Sequence, residues 1–168
     1  EIIMLKSVLM AAGVVYLAMK SFSVTSNYDP IFNKYAAAHG LDPYLLKAIA
    51  WQESNLDPSA IGDNGNSKGM MQINTGQNPR LLPNLGEPAG LNLLDPDNSV
   101  RVAAKLIRDN RGILRQRGIV ASPEYDLAMY NGGPNAVTTD GVVKSRVNAY
   151  VFMVLGRRDL LALTGRLS

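Results

Sequence analysis

At four places the chain sets a proline directly behind a residue that can cap a helix, and a helical pattern follows each: Asp29-Pro30, Asp42-Pro43, Asp95-Pro96 and Ser122-Pro123. The side-chain oxygen accepts a free N–H of the first turn. The proline sits where a missing N–H costs nothing and φ is already helical. The segments behind them, "IFNKYAAAHG", "YLLKAIAWQES", "DNSVRVAAKLIRDNRGIL" and "EYDLAMYNGG", carry apolar residues at three- and four-residue spacing. Two of them end in glycines suited to a left-handed C-cap. A last helix is expected from about Val142 to Leu155, and "MMQIN" reads as one short extended piece. No other alternating strand pattern appears, so the fold class is mainly α, with a long irregular connection from Asn74 to Asp95. A connection of that length generally lines or covers a site.

The domain helices are expected within residues 28–155. Ahead of them, residues 1–22 are apolar apart from Glu1, Lys6, Ser7, Lys20 and Ser21, and residues 23–27 form a short polar linker. Three readings of the apolar segment stay open. It is a secretory signal, with small residues before Asn27, a membrane anchor touching lipid through residues 2–19, or an amphipathic helix docking in a larger assembly. Residues 156–168 read as a basic C-terminal tail. With 46% hydrophobic residues in 168, the chain is long enough for one compact core. The net charge of +3 suits an anionic surface without choosing one. The chain has no cysteine, which excludes disulfides, thiolate metal sites and cysteine nucleophiles.

On the helix that starts after Asp42, the residues Leu46, Ile49, Ala50 and Glu53 fall at i, i+3, i+4 and i+7. Glu53 therefore lies on the core-facing stripe. Desolvation there favours the protonated carboxyl, and the negative end of the helix dipole pushes the same way. A carboxyl that keeps its proton near neutral pH is what general acid catalysis requires. Taken alone, a glutamate in a last helical turn is more often a frayed, solvated residue or a capping side chain.

Its neighbours narrow the choice. Glu53-Ser54 with Asp57-Pro58 and Ala60 is followed by Gly69-Met70-Met71-Gln72-Ile73 and, much later, by Ala128-Met129-Tyr130-Asn131-Gly132-Gly133. This ordered set resembles the soluble lytic transglycosylase (SLT) domain, a relative of goose-type lysozyme, over roughly residues 28–150. The resemblance implies a lysozyme-like helical fold, with Glu53 as the sole catalytic acid/base. It implies a peptidoglycan glycan strand as substrate, cut without water to leave a 1,6-anhydromuramic end. It also implies substrate contacts from Ser67, Gly69, Met71, Gln72, Asn74, Tyr130 and Asn131, with Tyr130 orienting Glu53 or the sugar's acetamido group. Neither a cofactor nor a metal is implied.

Other candidates are weaker. "DNGNSKG" has Lys68 where a calcium loop requires glycine, and Asn74 where it requires glutamate. Asp57 reads as a turn residue before Pro58, His39 as a helix-end residue, and Trp51 as core more than sugar platform. The arginines Arg108, Arg111, Arg115 and Arg117 read as a solvated face, so nucleic acid is not an expected partner. In "KSRVNAY", Lys144 stands where the family often has glutamate, which leaves Arg146 and Tyr150 to pack under the groove. The family is used by bacterial walls, secretion machines and phage particles alike. The expected location is therefore the cell envelope or periplasm, with membrane association, or else a virion. Two alternatives stay open: a hydrolytic muramidase assisted by Asp57 or Asp63, and a structural component that grips glycan without cutting it.

Overall fold

A computed structural model describes residues 27–165. Helix α1 spans Asp29–His39 and α2 Pro43–Ser54. A small antiparallel sheet follows, with β1 at Ile61–Gly62, β2 at Ser67–Lys68 and β3 at Ile73–Asn74. Then come α3 at Leu81–Asn84, α4 at Pro96–Gln116, α5 at Pro123–Gly132 and α6 at Asn148–Thr164, with single 3-10 turns between. The apolar segment at residues 1–22 lies outside the described residues, and with it the reading of a membrane contact. Among the described residues no helix is long and apolar enough to cross a membrane.

Three of the four proline starts behave as the local chemistry requires. Asp42 accepts from the Tyr44 N–H, Asp95 from the Asn98 N–H and Ser122 from the Tyr125 N–H. Asp29 does not. It is the first residue inside α1, Tyr28 takes the cap position without a side-chain bond, and the buried Asp29 carboxylate pairs with Lys47 Nζ at 2.5 Å. A tertiary partner on α2 has drawn it away from the local role.

Helix α2 forms the centre of the core. Leu45, Leu46, Ala48, Ile49 and Ala50 are at most 1% exposed, and the helix packs against α1 on one side and α6 on the other. Burying each leucine or isoleucine of this set contributes about 1.5–3 kcal/mol. Helix α4 packs on α1 and α5. Arg111 of α4 grips the fully buried Asp126 of α5 through both carboxylate oxygens, and Arg117 caps the Pro134 and Val137 carbonyls. Two members of the basic run thus serve the fold.

Several expectations are corrected. The last helix begins at Asn148 rather than near Val142, after a 3-10 turn at Ser145–Val147, and it continues through Thr164. Residues 156–164 are therefore helix rather than tail. Around "MMQIN" only Ile73–Asn74 is strand, and it is one member of a three-stranded sheet whose register pairs Ile61 with Lys68 and Ser67 with Asn74. The Asn74-to-Asp95 connection contains α3. It is fastened to α4 by buried Glu87, which accepts from Lys105 at 2.5 Å and Arg101 at 3.0 Å. Of the two glycine ends, Gly40 is left-handed. Gly133 has φ +74° with ψ near 180°, a conformation that L side chains avoid.

Candidate active site

Glu53 is the penultimate residue of α2, on the stripe that carries Leu46, Ile49 and Ala50, and it is half-buried. The helix stops one residue later because Asn55 and Leu56 both take positive φ (55° and 66°), and the Leu56 N–H closes back on the Ala50 carbonyl at 3.3 Å. A leucine in that conformation is costly, on the order of 1 kcal/mol or more. The sharp stop frees the end of α2 to face a cleft of about 680 Å³.

The cleft wall is assembled from five regions. Glu53 comes from α2; Asp63, Ser67, Gln72 and Asn74 from the sheet and its turn; Gln77, Asn78 and Leu81 from the long connection; and Met129, Tyr130, Asn131, Gly133 and Pro134 from α5 and its exit. Leu106 and Asn110 of α4 complete the lining. Of the residues proposed from sequence, Glu53, Ser67, Gln72, Asn74, Tyr130 and Asn131 are brought together here. Gly69 and Met71 are not among the lining residues. Gly69 has φ +76° and lies so close to the Leu93 carbonyl that a Cβ would stand 1.9 Å from its oxygen. Met71 is fully buried.

What Met71 offers instead is its peptide group. Its N–H donates to Ser99 Oγ at 3.1 Å and its carbonyl accepts from Tyr130 Oη at 2.6 Å, while next to it the Met70 carbonyl accepts from Ser54 Oγ at 2.8 Å. The Gln72 amide donates to the Ala60 and Gly69 carbonyls, which pins the turn between β2 and β3. Ser67 Oγ, buried, donates to Asp63 Oδ2 at 2.5 Å.

Tyr130 is thus tied to Met71 and not to Glu53. The hydroxyl that reaches the carboxyl belongs to Tyr150, in the first turn of α6, whose Oη donates to Glu53 Oε1 at 2.7 Å. Burial pushes the Glu53 pKa above the usual glutamate value; the Tyr150 bond opposes that, and the negative charge of Asp63 adds to it. Both tyrosine hydroxyls are raised well above their usual value, chiefly by burial and then by the charge of Glu53. Tyr150 therefore remains a neutral donor wherever Glu53 titrates. Asp57 lies away from the cleft, exposed, with its carboxylate held below the usual range by the Ser59 hydroxyl and N–H. Trp51 packs under Arg157, whose guanidinium lies 4.7 Å from the ring centroid.

Across residues 30–151 the sequence matches the family model described as the transglycosylase SLT domain. The chain belongs to that family. Among similar proteins, it is 34% identical over 83 residues to the peptidoglycan transglycosylase gp16 of Escherichia phage T7, covering 49% of this chain and 6% of that protein. It is 31% identical over 109 residues to the membrane-bound lytic murein transglycosylase F of Photobacterium profundum, covering 63% and 19%. The 70 kDa soluble lytic transglycosylase SLT70 of Escherichia coli superposes with a TM-score of 0.51 at 22% identity, over 83% of this chain and 22% of that one. That likeness establishes the fold. The chain spans about a fifth or less of the length of each of these proteins.

The SLT motifs locate Glu53, Gln72, Tyr130 and Asn131, but sequence reasoning placed Tyr150 only beneath the groove. Its signal is weak, since 97 residues separate it from Glu53. Asn110 and Leu81 were not singled out. Leu106 and Asn110 stand at i and i+4 on α4, so the helical period held a hint that one polar residue shares the apolar face.

Proposed function

We propose that this SLT domain is a peptidoglycan lytic transglycosylase, cutting the β-1,4 bond between N-acetylmuramic acid and N-acetylglucosamine with Glu53 as its acid and base. The observation that carries this reading is the state of Glu53: a carboxyl at the lip of a cleft, with burial favouring its proton and one neutral hydroxyl bonded to it. Glu53 donates its proton to the glycosidic oxygen as the C1–O bond breaks, and the sugar's own acetamido group stabilises the cation. The carboxylate then takes the proton of the muramyl C6 hydroxyl, whose oxygen closes on C1. Glu53 ends protonated again, and no water is consumed. On this reading Tyr150 stabilises the carboxylate between the two transfers, and Ser67, Gln72, Asn74 and Asn131, which line the cleft, contact the sugar. Tyr130 supports the cleft through the Met71 carbonyl. The relatives named above are a peptidoglycan transglycosylase of a phage and a membrane-bound lytic murein transglycosylase of a bacterium, which supports an envelope or virion setting for this chain.

A hydrolytic reading draws on one observation: Asp63 shares the cleft with Glu53 and is a second carboxylate of the kind that hydrolytic glycosidases use. Mass spectrometry of fragments released from purified peptidoglycan separates the readings. Anhydromuramic ends, lost in Glu53→Gln, support the transglycosylase. Reducing muramic ends point to hydrolysis through Asp63. Binding without release points to a structural role.

A further inference from the structure

Helix α6 is apolar on two opposite sides. Val151, Val154 and Leu161 are buried in the domain core. On the outer side Ala149, Phe152, Met153, Gly156, Leu160 and Leu163 recur at i, i+3, i+4, i+7, i+11 and i+14, a spacing that holds them within about 100° of the helix circumference. No charged residue interrupts that stripe. Phe152 and Leu163 are each 77% exposed and Met153 49%, whereas a helix with apolar residues on both sides is ordinarily covered on both. Gly156 stands in the middle of the stripe. Glycine is costly inside a helix, and no described neighbour requires it there, because a Cβ would meet nothing within 4 Å. What the missing Cβ provides is room for a second backbone to come close.

We propose that this stripe is the seat of the chain's own residues 2–19. Those eighteen residues are apolar apart from Lys6 and Ser7. Even at the most compact rise, that of a helix, they run about 27 Å, against about 21 Å from Ala149 to Leu163. They are also tethered close by. Asp29, two residues after the first described residue, pairs with Lys47 of α2, and one turn further along α2 the Trp51 ring carries Arg157 of α6. The entry of the chain and the middle of α6 are thus fastened to one helix at points about 6 Å apart along its axis. The nine residues from Lys20 to Tyr28 reach up to about 30 Å when extended, enough to lay residues 2–19 along α6. A second copy is the poorer fit. Phe152, Met153 and Leu163 together expose on the order of 400 Å², about half of the roughly 800 Å² that each partner gives to a stable complex. A tethered segment needs less, since a short link holds it at an effective concentration in the millimolar range; lipid and free partners have no such link. Seated there, the segment and the stripe cover one another from water, whichever reaction Glu53 performs.

The test is photo-crosslinking in the full 168-residue chain, with p-benzoylphenylalanine in place of Phe152 in one variant and of Leu163 in another. Trypsin frees residues 7–20 as one peptide, because Lys6 and Lys20 bracket it. Mass spectrometry after irradiation is expected to find that peptide joined to α6 from both positions. The same probe in place of Val120, which is 85% exposed on another element, should not capture it. In an equal mixture of ¹⁴N and ¹⁵N chains the adducts should stay within one isotope. Adducts of mixed isotope would mean a second copy, lipid adducts replacing the peptide when phosphatidylglycerol vesicles are added would mean a membrane face, and no adduct would mean a face open to water. Each of these overturns the proposal. A second variant, Gly156→Ala, reads the same seat without a probe. On an open face the better helix former should raise the melting temperature by a few degrees, and that rise would overturn the proposal. Under a seated segment the added methyl should bring no gain, and combined with the probe at position 163 it should lower the yield of the 7–20 adduct.

Discussion

Replacing Tyr150 with phenylalanine removes one oxygen atom and leaves the ring in place. The lost bond is an O–H···O contact of 2.7 Å to a half-buried carboxyl, the usual distance for a hydroxyl donor. A bond of this kind to a charged acceptor is worth about 1.5–3 kcal/mol. The acceptor becomes fully charged only as Glu53 gives up its proton, so much of that energy is felt in the transition state rather than in the resting enzyme. Turnover at the pH optimum should therefore fall by roughly 10- to 100-fold. The same bond is the one contribution that lowers the Glu53 pKa against burial and Asp63. Without it the carboxyl keeps its proton to higher pH, and the alkaline limb of the rate profile should move upward. Release of anhydro-muropeptides measured across pH, for wild type and variant, reads both effects. A fall in turnover with the alkaline limb unmoved, or moved to lower pH, would show that Tyr150 acts by packing alone.

Three further outcomes follow from the same structure. Between the usual glutamate pKa near 4.5 and the raised folded value, the native state holds more protons at Glu53 than the unfolded chain, so this residue makes stability fall as pH rises through that window. Thermal melts at a series of pH values should show Glu53→Gln gaining on wild type from acid towards neutral; parallel curves would contradict the burial argument. Asp29→Ala leaves Lys47 charged in the core without this carboxylate and should cost about 3–5 kcal/mol in urea unfolding, with the double variant Asp29→Ala/Lys47→Met recovering much of it. Gly69→Ala should lose about 2 kcal/mol or more, since the residue sits at φ +76° and its Cβ would meet the Leu93 carbonyl; a melting temperature within 1–2 °C of wild type, roughly, would count against it.

The helices were legible because their starts are local events: Asp42, Asp95 and Ser122 each bond an N–H two or three residues away. Asp29 broke the pattern for a reason 18 residues distant, its buried pairing with Lys47. The sheet escaped because its strands are two residues long, and because Asp63, Asn64 and Gln72 turn the chain with positive φ where glycine is the usual signal. The period of α2 was enough to place Glu53 on the inner stripe. It was not enough to tell which tyrosine reaches that carboxyl, since Tyr130 and Tyr150 are both half-buried aromatics beyond the α4 helix, and only the packing of α6 on α2 decides between them. Asn110 reads from sequence as one more polar residue on an amphipathic helix. Its place in the cleft wall becomes visible only when the fold brings the long connection and α5 to the same cleft.

The bonds around Met70 and Met71 bear on how the protein comes apart. Ser54, Ser99 and Tyr130 lie in three different helices and converge on two consecutive peptide groups. No single helix can leave without releasing a bond at that junction, so the amide proton of Met71 should exchange with solvent only as slowly as the whole domain unfolds, while those of the exposed turn at Asn64–Gly65 exchange early. The cleft accordingly exists in full or not at all. A chain that is still partly folded is therefore expected to lack a groove for Glu53 to face, and on the proposed reading it would cut no glycan before its own folding is finished.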